Sequence, residues 1–67
     1  MTGNRTIRHC AGMYERTDGV RSVSVRFYEH VSGWIASAQW DGHLHTDPLP
    51  TKRDAVHNAD HMIGSAK

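Results

Sequence analysis

The chain has 67 residues, 22% of them charged, and a formal net charge of +1. A chain of this size buries only about 60% of the surface that its unfolded form exposes, so its core is small and its stability marginal. A deep catalytic pocket would compete with that core for the same few apolar side chains. We therefore expect one domain that is not an enzyme and carries no cofactor.

The cysteine content and the charge distribution indicate a cellular location and limit the classes of binding partner. The single cysteine, Cys10, cannot form an intramolecular disulfide, which favours a reducing, cytoplasmic location. The sequence also lacks the run of about 18 apolar residues that a membrane span needs. Residues 1–30 carry five arginines against three acidic residues, whereas residues 31–67 carry three basic residues against four acidic ones. The mild excess of basic residues in the first half of the chain is compatible with phosphate contacts but does not require them.

Turn signals and alternating hydrophobicity predict strands near residues 5–16, 20–30, 34–40 and 43–47. Asp18-Gly19 and Asp41-Gly42 are dipeptides that favour type I′ hairpins, and residues 30–33 form a looser turn. Apolar side chains recur at every second position of the two middle strands, which is the period of a strand with one buried face. The inward set is predicted to be Val23, Val25, Phe27, Trp34, Ala36 and Ala38.

A helix is predicted over residues 51–64. Two prolines directly before it cannot continue a strand ladder, Thr51 occupies the N-cap position, and Asp54 follows three residues later as in a capping box. Gly64 is the expected stop. Apolar residues fall on one helical stripe, namely Ala55, Val56, Ala59, Met62 and Ile63. The small Ala36 and Ala38 leave room for this helix, so we predict an α+β fold, a three- to four-stranded antiparallel meander packed against one C-terminal helix.

The histidines do not predict a metal site. His57 and His61 have the spacing of a metal-binding pair, but the helical period places both opposite the apolar stripe, facing solvent. Cys10 next to His9 is not a catalytic dyad, because adjacent strand residues point to opposite faces. We therefore assign no catalytic residues and no metal ligands.

The sheet face away from the helix is the predicted binding surface. Arginine and tyrosine dominate protein-binding hot spots, and a three-stranded sheet can also read duplex DNA in the major groove. The third alternative is an ordinary solvated sheet face. A protein partner is ranked slightly ahead of DNA. The predicted partner- or DNA-binding residues are Arg8, Tyr14, Arg16, Arg26, Tyr28, His30, Ile35, Ser37 and Gln39, with Ser22 and Ser24 on the same face.

Two motifs carry a family resemblance: Gly33-Trp34-x-Ala36-x-x-x-x-Asp41-Gly42, then Thr51-x-x-Asp54-Ala55. They resemble the small arm-site-binding domains at the N-termini of phage-type tyrosine recombinases, and the layout of plant ethylene-response-type DNA-binding domains. The layout of HicB-type antitoxins is similar as well. The recombinase resemblance implies a sheet-plus-helix module that binds DNA through Arg26, Tyr28, Ser37 and Gln39.

These observations predict a phage- or mobile-element-like accessory protein, an inhibitor or adaptor of a host protein, with a DNA-binding module as the alternative. Residues 5–16 would form a long unprotected edge strand. A second copy or a partner's strand would cover this edge. A homodimer is therefore one expected form of the protein, and neither a membrane nor a small-molecule substrate is an expected partner.

Overall fold

An antiparallel sheet and one helix packed across it form the two layers of the protein. The computed structural model describes residues 3–38, 40 and 44–65. Consecutive strands are neighbours throughout a five-stranded sheet, in the order β1-β2-β3-β4-β5. The elements are β1 (Arg5–Cys10), β2 (Met13–Thr17), β3 (Ser22–Tyr28), a 3₁₀ turn (Glu29–Val31), β4 (Gly33–Ala38), β5 (Leu44–His45) and α1 (Lys52–Ser65). The predicted α+β class is confirmed, with one strand more than expected.

The additional strand comes from a hairpin inside the predicted first strand, so the single strand over residues 5–16 is wrong. The chain turns at Ala11 and Gly12, where Gly12 has a φ of +78°, a conformation that glycine adopts without a Cβ penalty. A register shift between Arg8 and Cys10 precedes the turn, as in a β-bulge. β1 is therefore the edge strand, and it pairs with β2.

The turn between β2 and β3 is longer than the predicted two-residue hairpin. Thr17 pairs with Ser22, which leaves four residues in the loop, and Gly19 has a φ of +99°. The Asp18 side chain supplies hydrogen bonds within this loop. Its Oδ1 accepts the backbone N–H groups of Val20 and Arg21, both at 2.9 Å. Such local bonding is what an Asp in a turn provides. The second predicted hairpin, at residues 41–42, lies outside the described residues.

The segment after β5 continues along β4 with one irregularity. Backbone hydrogen bonds join Trp34 and Leu49 in both directions at 2.8 Å, while Pro48, which has no N–H to donate, sits against Gly33. A Cβ on Gly33 would lie 2.7 Å from the Pro48 Cβ. Only a glycine at this position allows the proline segment to approach the strand so closely.

Helix α1 begins next to the predicted N-cap and ends one residue after the predicted end. The Thr51 Oγ1 accepts the Asp54 backbone N–H at 3.1 Å, which confirms the N-cap. The helix continues through Gly64 to Ser65, so Gly64 is not the predicted stop. No helix in the described part of the chain is both long and apolar enough to cross a membrane. The fully buried residues join the sheet to the helix, and they are Val23, Val25, Ala36, Ala38, Ala55, Ala59 and Ile63.

Candidate binding surfaces

Strand register decides which side chains share a face of the sheet. Directly opposed residues in an antiparallel pair lie on the same face, and the buried Val25 is opposed by Tyr14 on β2 and by Ala36 on β4. That row therefore faces α1. The alternate rows lie on the far side, which no element of the described chain covers and which we call the open face. Its members are Arg5, Ile7, Met13, Glu15, Thr17, Ser22, Ser24, Arg26, Tyr28, Ile35, Ser37 and His45.

The open face has an apolar row with a cation at its centre. Arg26 opposes Met13 on one side and Ile35 on the other. Met13 and Ile35 are half-buried, and Arg26 is exposed. Tyr28 lies two residues further along β3, and its ring packs edge-on against His30, with ring centroids 6.0 Å apart. The predicted positions of Arg26, Tyr28, Ile35 and Ser37 on this face agree with the register.

Tyr14 and Arg16 do not lie on the open face, so their predicted placement is wrong. They oppose Val25 and Val23, which belong to the helix-facing rows. The Arg16 guanidinium grips Asp60 of α1 with two bonds, Nε to Oδ1 at 2.7 Å and Nη2 to Oδ2 at 3.2 Å. A fork of this kind satisfies a half-buried arginine, so Arg16 faces the helix although hydrophobic patterning assigns a charged residue to the solvent face.

The remaining predicted residues scatter around this face. Arg8 opposes Tyr14 and so belongs to a helix-facing row, although it is exposed at the edge of the sheet. His30 lies in the 3₁₀ turn rather than on a strand. Gln39 lies outside the described residues. Sequence reasoning missed Ile7, Met13 and Glu15, because it took the face of residues 5–16 that carries Arg8, Tyr14 and Arg16 as the outward one, whereas the pairing with β3 turns that face toward α1.

Two carboxylates, those of Asp60 and Glu15, have a lowered pKa. Burial raises the pKa of Asp60, but the hydrogen bonds from Arg16 and Asn4 and the nearby charges outweigh it, so the pKa lies below the ordinary value. Hydrogen bonds from Ser22 and then from His9 lower the pKa of Glu15. The His9 Nε2 lies 3.0 Å from the Glu15 Oε1. Glu15 thus places a stable negative charge on the open face.

An aromatic groove lies on the other side of the sheet, beside the start of α1. It has a volume of about 510 Å³ and is lined by Ala11, Gly12, Tyr14, Phe27 and Trp34. The Trp34 ring centroid lies 5.5 Å from that of Phe27 and 5.9 Å from that of Tyr14. Phe27 is 43% exposed, so its predicted place in the core is wrong. The sequence carries the signal as one aromatic residue on each of three successive strands, but the alternation predicts Phe27 and Trp34 as core and Tyr14 on the outward face.

The histidines of α1 and the outer edge of the sheet are two further exposed features. His57 and His61 are exposed, as their helical spacing predicted. Within residues 3–38, 40 and 44–65, no three potential metal-binding side chains come together. The outer edge of β1 pairs with no other described strand, and it carries Arg5 and Arg8, charges of the kind that discourage edge-to-edge pairing.

No protein-family model matches the sequence, and no curated protein and no solved structure is significantly similar to it. The resemblance to recombinase arm-site domains and to HicB-type antitoxins therefore stays a prediction based on a few residues. What the protein binds has to be inferred from the two surfaces themselves.

Proposed function

We propose that the chain is a non-enzymatic binding module, an accessory protein that acts as an inhibitor or adaptor by covering the surface of another protein with its open face. The row of Met13, Arg26 and Ile35 carries this proposal. Methionine and arginine are among the residue types enriched in the core of protein interfaces. An arginine between two half-buried apolar side chains resembles a hot spot, in which apolar neighbours exclude water from a central polar anchor.

The charges of this surface favour a protein over duplex DNA. The DNA alternative relies on Arg8, Arg16 and Arg26 acting together, but Arg16 is held by Asp60 and Arg8 belongs to a helix-facing row. Only Arg26 of the three lies on the open face, and Glu15 places a carboxylate on the same surface. Arg5, which opposes Thr17, is a second arginine on this face, and two phosphate contacts correspond to a log–log salt slope of about −1.8, against about −2.7 for three.

The test is a pull-down from a lysate of the source organism, with and without nuclease treatment, comparing the wild-type chain with Arg26→Glu. Truncation of a hot-spot residue costs about 2 kcal/mol or more, roughly thirtyfold in affinity, so we expect the captured protein to be lost. Arg26 is exposed, so the substitution leaves the core intact. Ile35→Asp is the second variant, and unchanged melting curves are required of both.

The matched control is Arg53→Glu, the same charge change at an exposed position of α1. A protein that is captured by the control, and by neither open-face variant, supports the proposal. Equal capture by all variants would move the binding surface elsewhere. Capture that disappears with nuclease, together with a salt-dependent affinity for a mixed duplex, would favour the DNA alternative. Light scattering over an about tenfold concentration range shows whether a second copy is the partner.

A further inference from the structure

The aromatic groove differs from an ordinary part of the core because its polar atoms remain available. Tyr14, Phe27 and Trp34 pack against one another, yet Phe27 is 43% exposed. Within the described residues, neither the Tyr14 hydroxyl nor the Trp34 indole N–H forms a hydrogen bond, and no buried side-chain polar atom lacks a partner. Both groups therefore reach solvent. The groove thus presents an apolar floor with two donors at its surface.

The dimensions of the groove fit an extended chain. Its three aromatic residues stand on adjacent strands, β2, β3 and β4, and neighbouring strands are spaced by about 4.8 Å. The side chains converge above the strands, so that the ring centroids of Tyr14 and Trp34 on the two outer strands are 5.9 Å apart, which is close to the rise of two polyproline II residues at about 3.1 Å each. Proline-rich segments in this conformation are recognised by aromatic-lined grooves, in which donors such as an indole N–H bind the exposed carbonyls of the peptide.

The charge at the rim selects the kind of peptide. The Lys52 Nζ lies 4.1 Å from the centre of the Tyr14 ring, and Arg8 opposes Tyr14 across the strand pair. In the described part of the chain neither cation belongs to an ion pair. Two cations beside an apolar floor, neither in an ion pair with a described residue, complement a peptide that carries carboxylates next to its prolines. A chain with a net charge of +1 lacks the basic surface that a polyanion such as single-stranded nucleic acid normally requires.

We infer that this groove is a second binding site, which takes an acidic, proline-rich segment of a partner protein in the polyproline II conformation. It lies on the opposite side of the sheet from the open face. The inference therefore goes beyond the proposed function and does not depend on it. A peptide could bind in the groove while the open face remains free.

The test is an NMR titration of the isotope-labelled chain with a synthetic peptide of about three Pro-Pro-Glu repeats, whose period places every glutamate on one edge of the helix. We expect shifts at Gly12 and at the Trp34 indole N–H, and none at Ser24 on the open face. The Pro-Pro-Lys peptide should bind about three- to fivefold more weakly, the range of an exposed ion pair. A Gly-Ser-Glu peptide, which has the charge without the proline conformation, should not bind.

Two variants separate the aromatic from the electrostatic part of the site. Phe27→Ala should weaken the Pro-Pro-Glu peptide about tenfold, and the exposure of Phe27 limits the effect on folding. Lys52→Gln should remove most of the preference for glutamate over lysine while preserving the shifts. Arg26→Gln, on the open face, is the control and should bind the peptide like the wild type.

Three results would overturn the inference. The first is the absence of shifts at Gly12 and Trp34 at saturating peptide. The second is equal binding of the Pro-Pro-Glu and Gly-Ser-Glu peptides. The third is tighter binding of a short oligo(dT) strand at the same resonances, which would make the groove a base-stacking site. None of these bears on the Arg26→Glu pull-down, so failure here is distinguishable from failure of the proposed function.

Discussion

Gly33→Ala tests the contact between β4 and the proline segment that leads into α1. The new Cβ would lie 2.7 Å from the Pro48 Cβ, 3.2 Å from its Cα and 3.3 Å from the Leu49 carbonyl oxygen. The proline ring cannot rotate away, because it is part of the backbone. The segment must therefore retain the overlap or move away from Trp34, to which Leu49 is joined by two backbone hydrogen bonds of 2.8 Å.

Both outcomes cost a similar amount. Overpacking typically destabilises by about 1–3 kcal/mol, and two weakened hydrogen bonds would cost about 1 kcal/mol each. The lower entropy of the unfolded alanine chain offsets about 0.4–1 kcal/mol. The net loss of about 1–2 kcal/mol corresponds to a decrease in melting temperature of roughly 5–15 °C for a domain of this size.

Thermal unfolding monitored by circular dichroism measures this loss. Gly64→Ala is the matched control, because nothing lies within 4 Å of its added Cβ and Gly64 lies within α1. An alanine in a helix is favoured over glycine by up to about 1 kcal/mol, so this variant should melt higher than the wild type. A Gly33→Ala variant that melts at or above the wild-type temperature would show that Gly33 and Pro48 do not pack as described.

Two further substitutions test the N-cap of α1 and its ion pair with the sheet. Thr51→Ala should lower the free energy of unfolding by about 1 kcal/mol, since the Oγ1 caps the Asp54 N–H, while Thr51→Ser should retain most of it; equal urea midpoints for Ala and Ser would contradict the cap. Asp60→Asn should cost about 0.5–1 kcal/mol near neutral pH. Because the folded pKa of Asp60 lies below its ordinary value of 3.8, its contribution is complete above that pH and is lost as the pH falls through the folded pKa. The gap between wild type and Asp60→Asn should therefore close in acid, and a gap independent of pH would argue against the ion pair.

Local patterns were sufficient to predict the elements of the core. The alternation in β3 and β4 and the stripe of α1 predicted all seven fully buried residues, because each pattern arises from neighbours along the chain. Thr51 was also readable as a cap from the prolines before it and from the position of Asp54. The class of the fold follows from these elements alone.

The faces of β2 could not be predicted in the same way. Ala11-Gly12 is a weak turn signal, and nothing near Arg16 indicates that it faces the helix. Its partner Asp60 is 44 residues away in sequence, so the pairing appears only when the layers are assembled. The aromatic groove was missed for a related reason. A Phe and a Trp in register on adjacent strands predict core, and only the position of the helix determines that part of Phe27 stays exposed.

The two candidate surfaces are built from neighbouring residues of the same strands. Met13, Arg26 and Ile35 on the open face are each adjacent in sequence to Tyr14, Phe27 and Trp34 in the groove. Successive strand residues project to opposite sides, so a one-residue slip of any of these strands would exchange its contribution to the two surfaces. Register is thus the property on which both proposed sites depend. The four-residue loop between Thr17 and Ser22 connects β2 to β3 and so sets that register for β2, which makes this turn a determinant of binding as well as of fold.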